Sequence, residues 1–317
     1  MHDAVTPVTL HDATGTSPID RSFGVMSSPA FVQVHGGTEE MADWAVARLQ
    51  ELERWWSRFL PDSDITRANQ SAGTPVPVHP DTQAVVARGI EAWRQTNGLF
   101  DITLLADLLR MGYTNSIVDN SPAPKVAAHR SGTTPEIVVD YEAGTLLVPA
   151  GSGIDLGGIG KGMAADIVAE ELIEQGATGA VVNVGGDLVV LGTPSTDMSW
   201  LLGIENPLDP PNHVAHLRVV AGGAATSGTS QRHWTAADGS TVHHIVHPSR
   251  NRSSNTDVLA ATVLAADAAT AEAFSTAVMM GDRWQGIALV EQVGLAALLV
   301  CDDGEILRSS TLKDFEA

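Results

Sequence analysis

The sequence is short of several things, and each shortage removes a class of protein. It has one cysteine, Cys301, in 317 residues, so no disulfide framework, CxxC pair or cysteine-based metal cluster can form within the chain. Cys301 lies in an apolar run ahead of Asp302-Asp303-Gly304 and reads as a small buried hydrophobe. Basic residues are scarce: 18 Lys+Arg stand against 38 Asp+Glu, a formal net charge of -20. A surface of that sign repels nucleic acid and anionic membranes, so neither is expected as a partner. An anionic ligand would then need a local device, either a metal ion or a helix N-terminus. No apolar run approaches the roughly 18 residues of a membrane span. The opening Met1-His2-Asp3-Ala4 lacks a basic n-region, an apolar h-region and a lipobox cysteine, so a cytoplasmic location is expected.

What remains is 44% hydrophobic and 18% charged, enough to bury one large domain or two lobes. Residues 1–22, rich in Thr, Ser, Pro and Asp without periodicity, are expected to be a flexible tail, with the domain proper over 23–317. Ala30–Val34 reads as a strand, and after Gly36-Gly37 a helix carries Met41, Trp44, Leu49, Leu52, Trp55 and Phe59, capped by Thr38. A second helix spans Pro80 to Thr96 and stops at Asn97-Gly98. Ile137–Val139 and Thr145–Val148 read as a hairpin, and Asn115–Pro135 as a loop. From Gly151 the order is glycine-rich loop, helix Lys161–Gln175, strand Ala180–Val184, turn Gly185-Gly186-Asp187 and strand Leu188–Leu191. Strands are expected at Leu201–Ile204, Leu217–Val220, Val242–Val246 and Leu259–Leu264, and helices at Ala268–Met280 and Asp282–Val293. Hairpins mixed with helices indicate an α+β (mixed α/β) fold, and no fixed-period repeat is present.

Three clusters could carry chemistry. Asp155-Leu156-Gly157-Gly158-Ile159-Gly160-Lys161-Gly162 sets four glycines and a lysine at a helix start, where free amides and the helix dipole favour an anion. It is neither a Walker motif nor a dinucleotide fingerprint, and a turn that needs glycine only for its backbone angles is the plain alternative. Asp166, one turn on, is either a surface carboxylate or a partner for a ligand hydroxyl. Glu272 and Thr276 share a helix face as two hard oxygen ligands suited to Mg²⁺, or as an ordinary solvated pair. His243, His244 and His247 run toward Pro248; an imidazole there could act as a general base, but alternate strand faces cannot aim neighbouring histidines into one site.

Taken in order, Asp155–Gly162, Val182-Asn183-Val184-Gly185-Gly186-Asp187, His244-Ile245-Val246 and Ala271–Thr276 resemble the FAD:protein FMN transferase (ApbE-like) family. Phe23-Gly24-Val25-Met26, Ser57-Arg58-Phe59 with Asp62–Ile65 and Asn69, and Gly98–Thr103 are similar to its N-terminal motifs. The resemblance implies a single flavin transferase domain of two lobes with the active site between them. It implies FAD as substrate, Mg²⁺ as cofactor, and a partner protein carrying an Asp-x-x-Thr/Ser acceptor motif. Met26, Phe59, Leu99, Phe100, Asp101, Lys161 and Asp166 would contact FAD. The Gly160 carbonyl, Glu272 and Thr276 would hold the metal, and His244 would take the proton from the attacking hydroxyl. An FAD pyrophosphatase and a non-catalytic flavin binder remain alternatives. The chain departs from the family's usual pattern at Glu272, where Asp is common; at Phe59, where Tyr is common; at Gly160, where Ala is frequent; and across His247–Asn251, where Asp-Pro-Arg-Thr-Gly is usual. Asp3–Thr9 loosely resembles the acceptor sequence itself.

Overall fold

A computed structural model describes residues 5–7, 17–194, 199–229, 233–235, 239 and 241–317. Eight strands form its main sheet: β1 (Ile19–Val25), β2 (Ser28–His35), β3 (Gly179–Val184), β4 (Asp187–Gly192), β5 (Gly222–Gly228), β6 (Val258–Ala265), β7 (Ala296–Cys301) and β8 (Ile306–Arg308). Their order across the sheet follows their order along the chain, and every neighbouring pair is antiparallel. The helices are α1 (Glu39–Trp56), α2 (Asp64–Gln70), α3 (Pro80–Gln95), α4 (Leu105–Arg110), α5 (Gly160–Glu174), α6 (Ala268–Val278) and α7 (Arg283–Gln292).

The chain divides into two compact units. Unit 1 comprises residues 1–50, 161–228 and 256–317; unit 2 comprises 51–160 and 229–255.

Unit 1 contains the main sheet. β3 and β7 are buried at every position, which is why they read as continuous Val/Ala/Leu runs rather than alternating ones. One part of the core joins Val181, Leu188, Val190, Ala224, Leu264 and Leu298 to Trp200, Leu202, Ile204, Leu217 and Val219. The last five belong to a three-stranded sheet of Val5–Pro7, Trp200–Glu205 and His213–Val219. α6 packs on β5 and β6.

Unit 2 carries α2, α3 and α4, and a small sheet of Val76–Pro77, Thr145–Leu147 and Val138–Asp140. Two short hairpins complete it, His233–Thr235 with Thr241–His243 and Val246–His247 with Arg252–Ser253.

Three expectations need adjustment. Regular structure does not wait for Phe23: Val5–Pro7 already pairs as a strand, and β1 pairs residue by residue with β2 from Val25↔Ser28 back to Ile19↔Val34. The run Val242–Val246 is not one strand: it breaks at His244-Ile245 into the two hairpins just named. β5, Gly-Gly-Ala-Ala-Thr-Ser-Gly, has low strand propensity and was not anticipated. Its glycines answer a packing need, since a Cβ on Gly223 would lie 2.2 Å from the Ala268 amide nitrogen. Of the acceptor-like stretch Asp3–Thr9, Val5–Pro7 pairs as a strand with Leu202–Ile204, and the rest lies outside the described residues. Among the described residues no helix is long and apolar enough to cross a membrane.

Candidate functional site

In unit 1 the start of α5 meets the start of α6, and glycine makes this approach possible. A Cβ on Gly162 would stand 2.4 Å from the Ala268 carbonyl oxygen. Asp166, one turn along α5, accepts hydrogen bonds from the Ala268 and Ala269 amides at 2.8 and 2.9 Å. Those amides would otherwise be orphan donors at a helix N-terminus; Asp267 caps the next turn by accepting from Thr270 N at 2.7 Å. Burial pushes the Asp166 carboxyl up to about 7, against the opposing pull of the two amides. Asp166, expected to touch FAD, therefore has both oxygens engaged in anchoring α6.

Beside this junction lies a charge cluster. Lys161 Nζ is 2.8 Å from Asp187 Oδ2 and hydrogen-bonds Glu272 Oε1. The Gly162 amide donates to the other oxygen, Glu272 Oε2, at 2.8 Å. Side-chain exposure is 14% for Lys161, 4% for Asp187 and 3% for Glu272. Two carboxylates thus share one ammonium away from water. Burial drives the Glu272 carboxyl well above its usual range, Lys161 opposes that, and Asp187 reinforces it. One helical turn beyond Glu272, Thr276 Oγ1 is 3.2 Å from Ser227 Oγ, which is itself 2.8 Å from Ser275 Oγ.

Tight turns deliver these groups. Gly185 and Gly186, at φ 66° and 92°, turn β3 into β4 and present Asp187; the Gly186 amide donates to Asn183 Oδ1 at 2.9 Å. The neighbouring β1–β2 turn places Met26 and Ser27 at φ 51° and 58°, a conformation side chains avoid. The two turns are in contact: the Gly185 amide donates to the Pro29 carbonyl at 2.8 Å, and a Cβ on Gly185 would lie 2.7 Å from Ser28 Oγ and 3.7 Å from Lys161 Cδ. Met26 and Lys161, both expected at the site, are thereby brought to the same end of the sheet.

The donor set suits Mg²⁺: Glu272 and Thr276 offer hard oxygens one turn apart on α6. Among the described residues no three His, Cys, Asp or Glu side chains form a metal-binding group. Ligands beyond Glu272 would accordingly be hydroxyl, carbonyl or water oxygens.

In unit 2 the segment leading into the glycine-rich loop is tightly held. Asn69 clamps Ile154 like a paired peptide, donating to its carbonyl at 2.9 Å and accepting from its amide at 2.7 Å. Arg58 Nε donates to Asp155 Oδ2 at 2.5 Å, while Asp155 Oδ1 accepts from the Gly157 amide at 2.7 Å. Gly160 is buried and donates to Leu156 O at 2.7 Å. The Arg58 guanidinium lies 4.1 Å from the Phe59 ring centre and 4.6 Å from that of Tyr113, which stacks on Trp234 at 5.2 Å. Leu99 is half-buried, whereas Phe100, at 3% exposed, is a core residue. Asp101 Oδ1 accepts from Thr103 and from Thr134 Oγ1, and burial raises its carboxyl.

His244 sits half-buried at the bend between the two hairpins, so the alternate-face argument for a continuous strand does not apply to it. His243 Nε2 lies 3.1 Å from the Ser254 carbonyl, and burial lowers its pKa. His247 is buried, its Nδ1 accepts from the Ser249 amide at 3.2 Å, and burial followed by Arg250 lowers its pKa. Sequence reasoning quoted Asp187 in a turn and in the Val182–Asp187 motif without giving it a role, and passed over Ser227, Tyr113 and Trp234. A carboxylate right after a Gly-Gly turn was the available signal for the first; the others have no local signature.

The mixed α/β scaffold thus sets a glycine-rich helix start against a buried carboxylate–ammonium cluster. The family model described as "ApbE family" matches residues 25–299, and the chain belongs to that family. It is 28% identical over 267 residues to the FAD:protein FMN transferase of Klebsiella pneumoniae (strain 342), covering 82% of this chain and 76% of the relative. It is also 28% identical over 275 residues to the enzyme of that name from Vibrio cholerae, covering 84% and 82%. The crystal structure of the ApbE protein from Thermotoga maritima superposes with a TM-score of 0.82 at 24% identity, over 95% of this chain and 100% of that one. Flavin transferase ApbE from Vibrio cholerae gives 0.77 at 23%, over 94% and 99%. The structural likenesses establish a shared fold.

Proposed function

We propose that this chain transfers FMN from FAD to a Ser or Thr hydroxyl of an acceptor protein, forming a phosphoester and releasing AMP. The observation that carries the reading is the buried cluster of Lys161, Asp187 and Glu272 at the glycine-rich start of α5, with Thr276 one turn beyond Glu272. Family membership and the names of the relatives support it.

In this scheme the acceptor oxygen attacks the FMN phosphorus, a new P–O bond forms, and the bond to the AMP oxygen breaks. His244 accepts the hydroxyl proton, which prevents a charged oxonium from accumulating. Glu272 and Thr276, with the Gly160 carbonyl, would hold Mg²⁺, whose chemistry is to neutralise charge on the pyrophosphate. Lys161 adds positive charge beside those phosphates. Met26, Phe59, Leu99 and Asp101 would orient FAD; Asp166 and Phe100 would act indirectly, through the helix start and the core they stabilise. An acceptor with an Asp-x-x-Thr/Ser motif completes the reaction.

The test is incubation with FAD, Mg²⁺ and a peptide carrying Asp-x-x-Thr-Gly-Ala-Thr, followed by mass spectrometry of the peptide and chromatography of AMP. One FMN should appear on the peptide. Glu272→Ala should lower the rate by about 100-fold or more, and His244→Ala should lower it by on the order of 100-fold. Free FMN with an unmodified peptide would replace the proposal with FAD pyrophosphatase activity; bound FAD without AMP release would reduce it to flavin binding.

A further inference from the structure

Lys161 is bonded to the carboxylate that the proposed function assigns to a metal ion. Its Nζ hydrogen-bonds Glu272 Oε1, and its other carboxylate partner, Asp187 Oδ2, is 2.8 Å away. Glu272 has little freedom to offer a different oxygen, because Oε2 is fixed by the Gly162 amide at 2.8 Å, on a helix start packed against α6. Oε1 is therefore the exchangeable oxygen. An ammonium and a divalent cation on one buried oxygen would repel each other strongly where water does not screen them. Asp187 is held at a turn of two left-handed glycines and is only 4% exposed, so it stays in place to receive the displaced lysine.

We infer that Lys161 is a built-in competitor of the divalent cation at Glu272, and that Asp187 is a positioning residue that takes Lys161 over when the cation binds. This rests on the reading that Glu272 holds the metal. The lysine keeps the buried carboxylate neutralised before the metal arrives. Once it has moved, the same ammonium remains beside Asp187, close to where the phosphates are expected.

The role differs in a measurable way from that of a simple phosphate-binding lysine, whose removal would leave metal affinity without FAD unchanged. Mg²⁺ binding to the full chain in the absence of FAD is measured by titration calorimetry and Mn²⁺ binding by electron paramagnetic resonance, with thermal melts confirming that each variant is folded. Lys161→Gln should bind the metal about tenfold more tightly, a coupling of ordinary size between two sites. Asp187→Asn keeps the lysine but removes its second partner, so metal binding should weaken about fivefold or more. It also provides an independent arm should Lys161→Gln fail to fold. Unchanged or weaker binding in a folded Lys161→Gln, or unchanged binding in Asp187→Asn, overturns the inference while the metal site stands. Binding that survives undiminished in Glu272→Gln, or is absent in every variant, overturns the metal assignment itself and the inference with it.

Discussion

In unit 2 the residues that lead into the glycine-rich loop are held by polar groups that satisfy one another, whereas in unit 1 the residues that follow it face one carboxylate too many. Asn69 pairs both ways with Ile154, and Arg58 is matched by Asp155. Lys161, by contrast, is divided between Asp187 and Glu272. Closed polar networks stabilise a shape; an uncompensated buried charge costs stability and is kept where a ligand or reaction needs it. The comparison separates the motif residues whose polar groups are matched from those proposed for the chemistry.

The largest expected effect tests the architectural side. Asn69→Ala removes two hydrogen bonds and leaves the amide and carbonyl of Ile154, a fully buried residue, without their partner. A loss of about 3 kcal/mol is expected in urea unfolding. A loss below about 1 kcal/mol would mean that water replaces the asparagine and that the clamp is not structural. Next is Gly162→Ala, whose new methyl would meet backbone rather than a yielding side chain, with Ala268 O at 2.4 Å. Forcing α5 from α6 should cost roughly 2 kcal/mol and disturb the Gly162–Glu272 bond, so that stability and FMN transfer fall together.

Asp166 sharpens the comparison within unit 1, because among the described residues it is a buried carboxylate without a cationic partner but with two amide donors. Its folded-state value, about 7, lies above the ordinary 3.8. Folding therefore favours the protonated form: the contribution is present in full below about pH 4 and is lost as pH rises through about 7. The stability difference between the wild type and Asp166→Asn should shift against the wild type over that window, by at most about 1.4 kcal/mol per pH unit. A flat difference in urea unfolding between pH 4 and 7 would show that the two amides keep Asp166 ionised throughout.

Much of this was legible where local chemistry decides the structure. β3, α5 and α6 follow from Val/Ala-rich runs punctuated by glycine. The motif pieces could be recognised because their spacing is local. β5 was not legible: its glycines suit the close approach of α6, a tertiary demand that its own residues do not announce. The charge cluster was only half legible, since Lys161 and Glu272 are 111 positions apart and nothing near either names the other. The position of Asp166, one turn past a glycine loop, left it either a surface carboxylate or a ligand contact, and the family resemblance implied the latter; the demand of the orphan amides on α6 comes from a helix about a hundred residues away. The break at His244 was hidden because Val242–Val246 has strand composition on both sides of it.

The smallest expected effect concerns the Met26-Ser27 turn, which was invisible in sequence because neither residue is favoured at positive φ. Ser27 at φ 58° pays a backbone cost that glycine would not. Ser27→Gly should therefore stabilise the chain by about 0.5 kcal/mol, the relief being partly offset by the greater freedom of glycine in the unfolded chain. FAD affinity should not change. Met26, at φ 51°, carries the same backbone strain but was also expected to line the flavin pocket, so Met26→Gly separates the two roles. If the strain exists to aim the methionine, that variant should hold or gain stability in urea while FAD binding, followed by flavin fluorescence, weakens several-fold. Were both substitutions to lower stability, the turn would owe its shape to side-chain packing, and strain at this end of the sheet would have no functional reading.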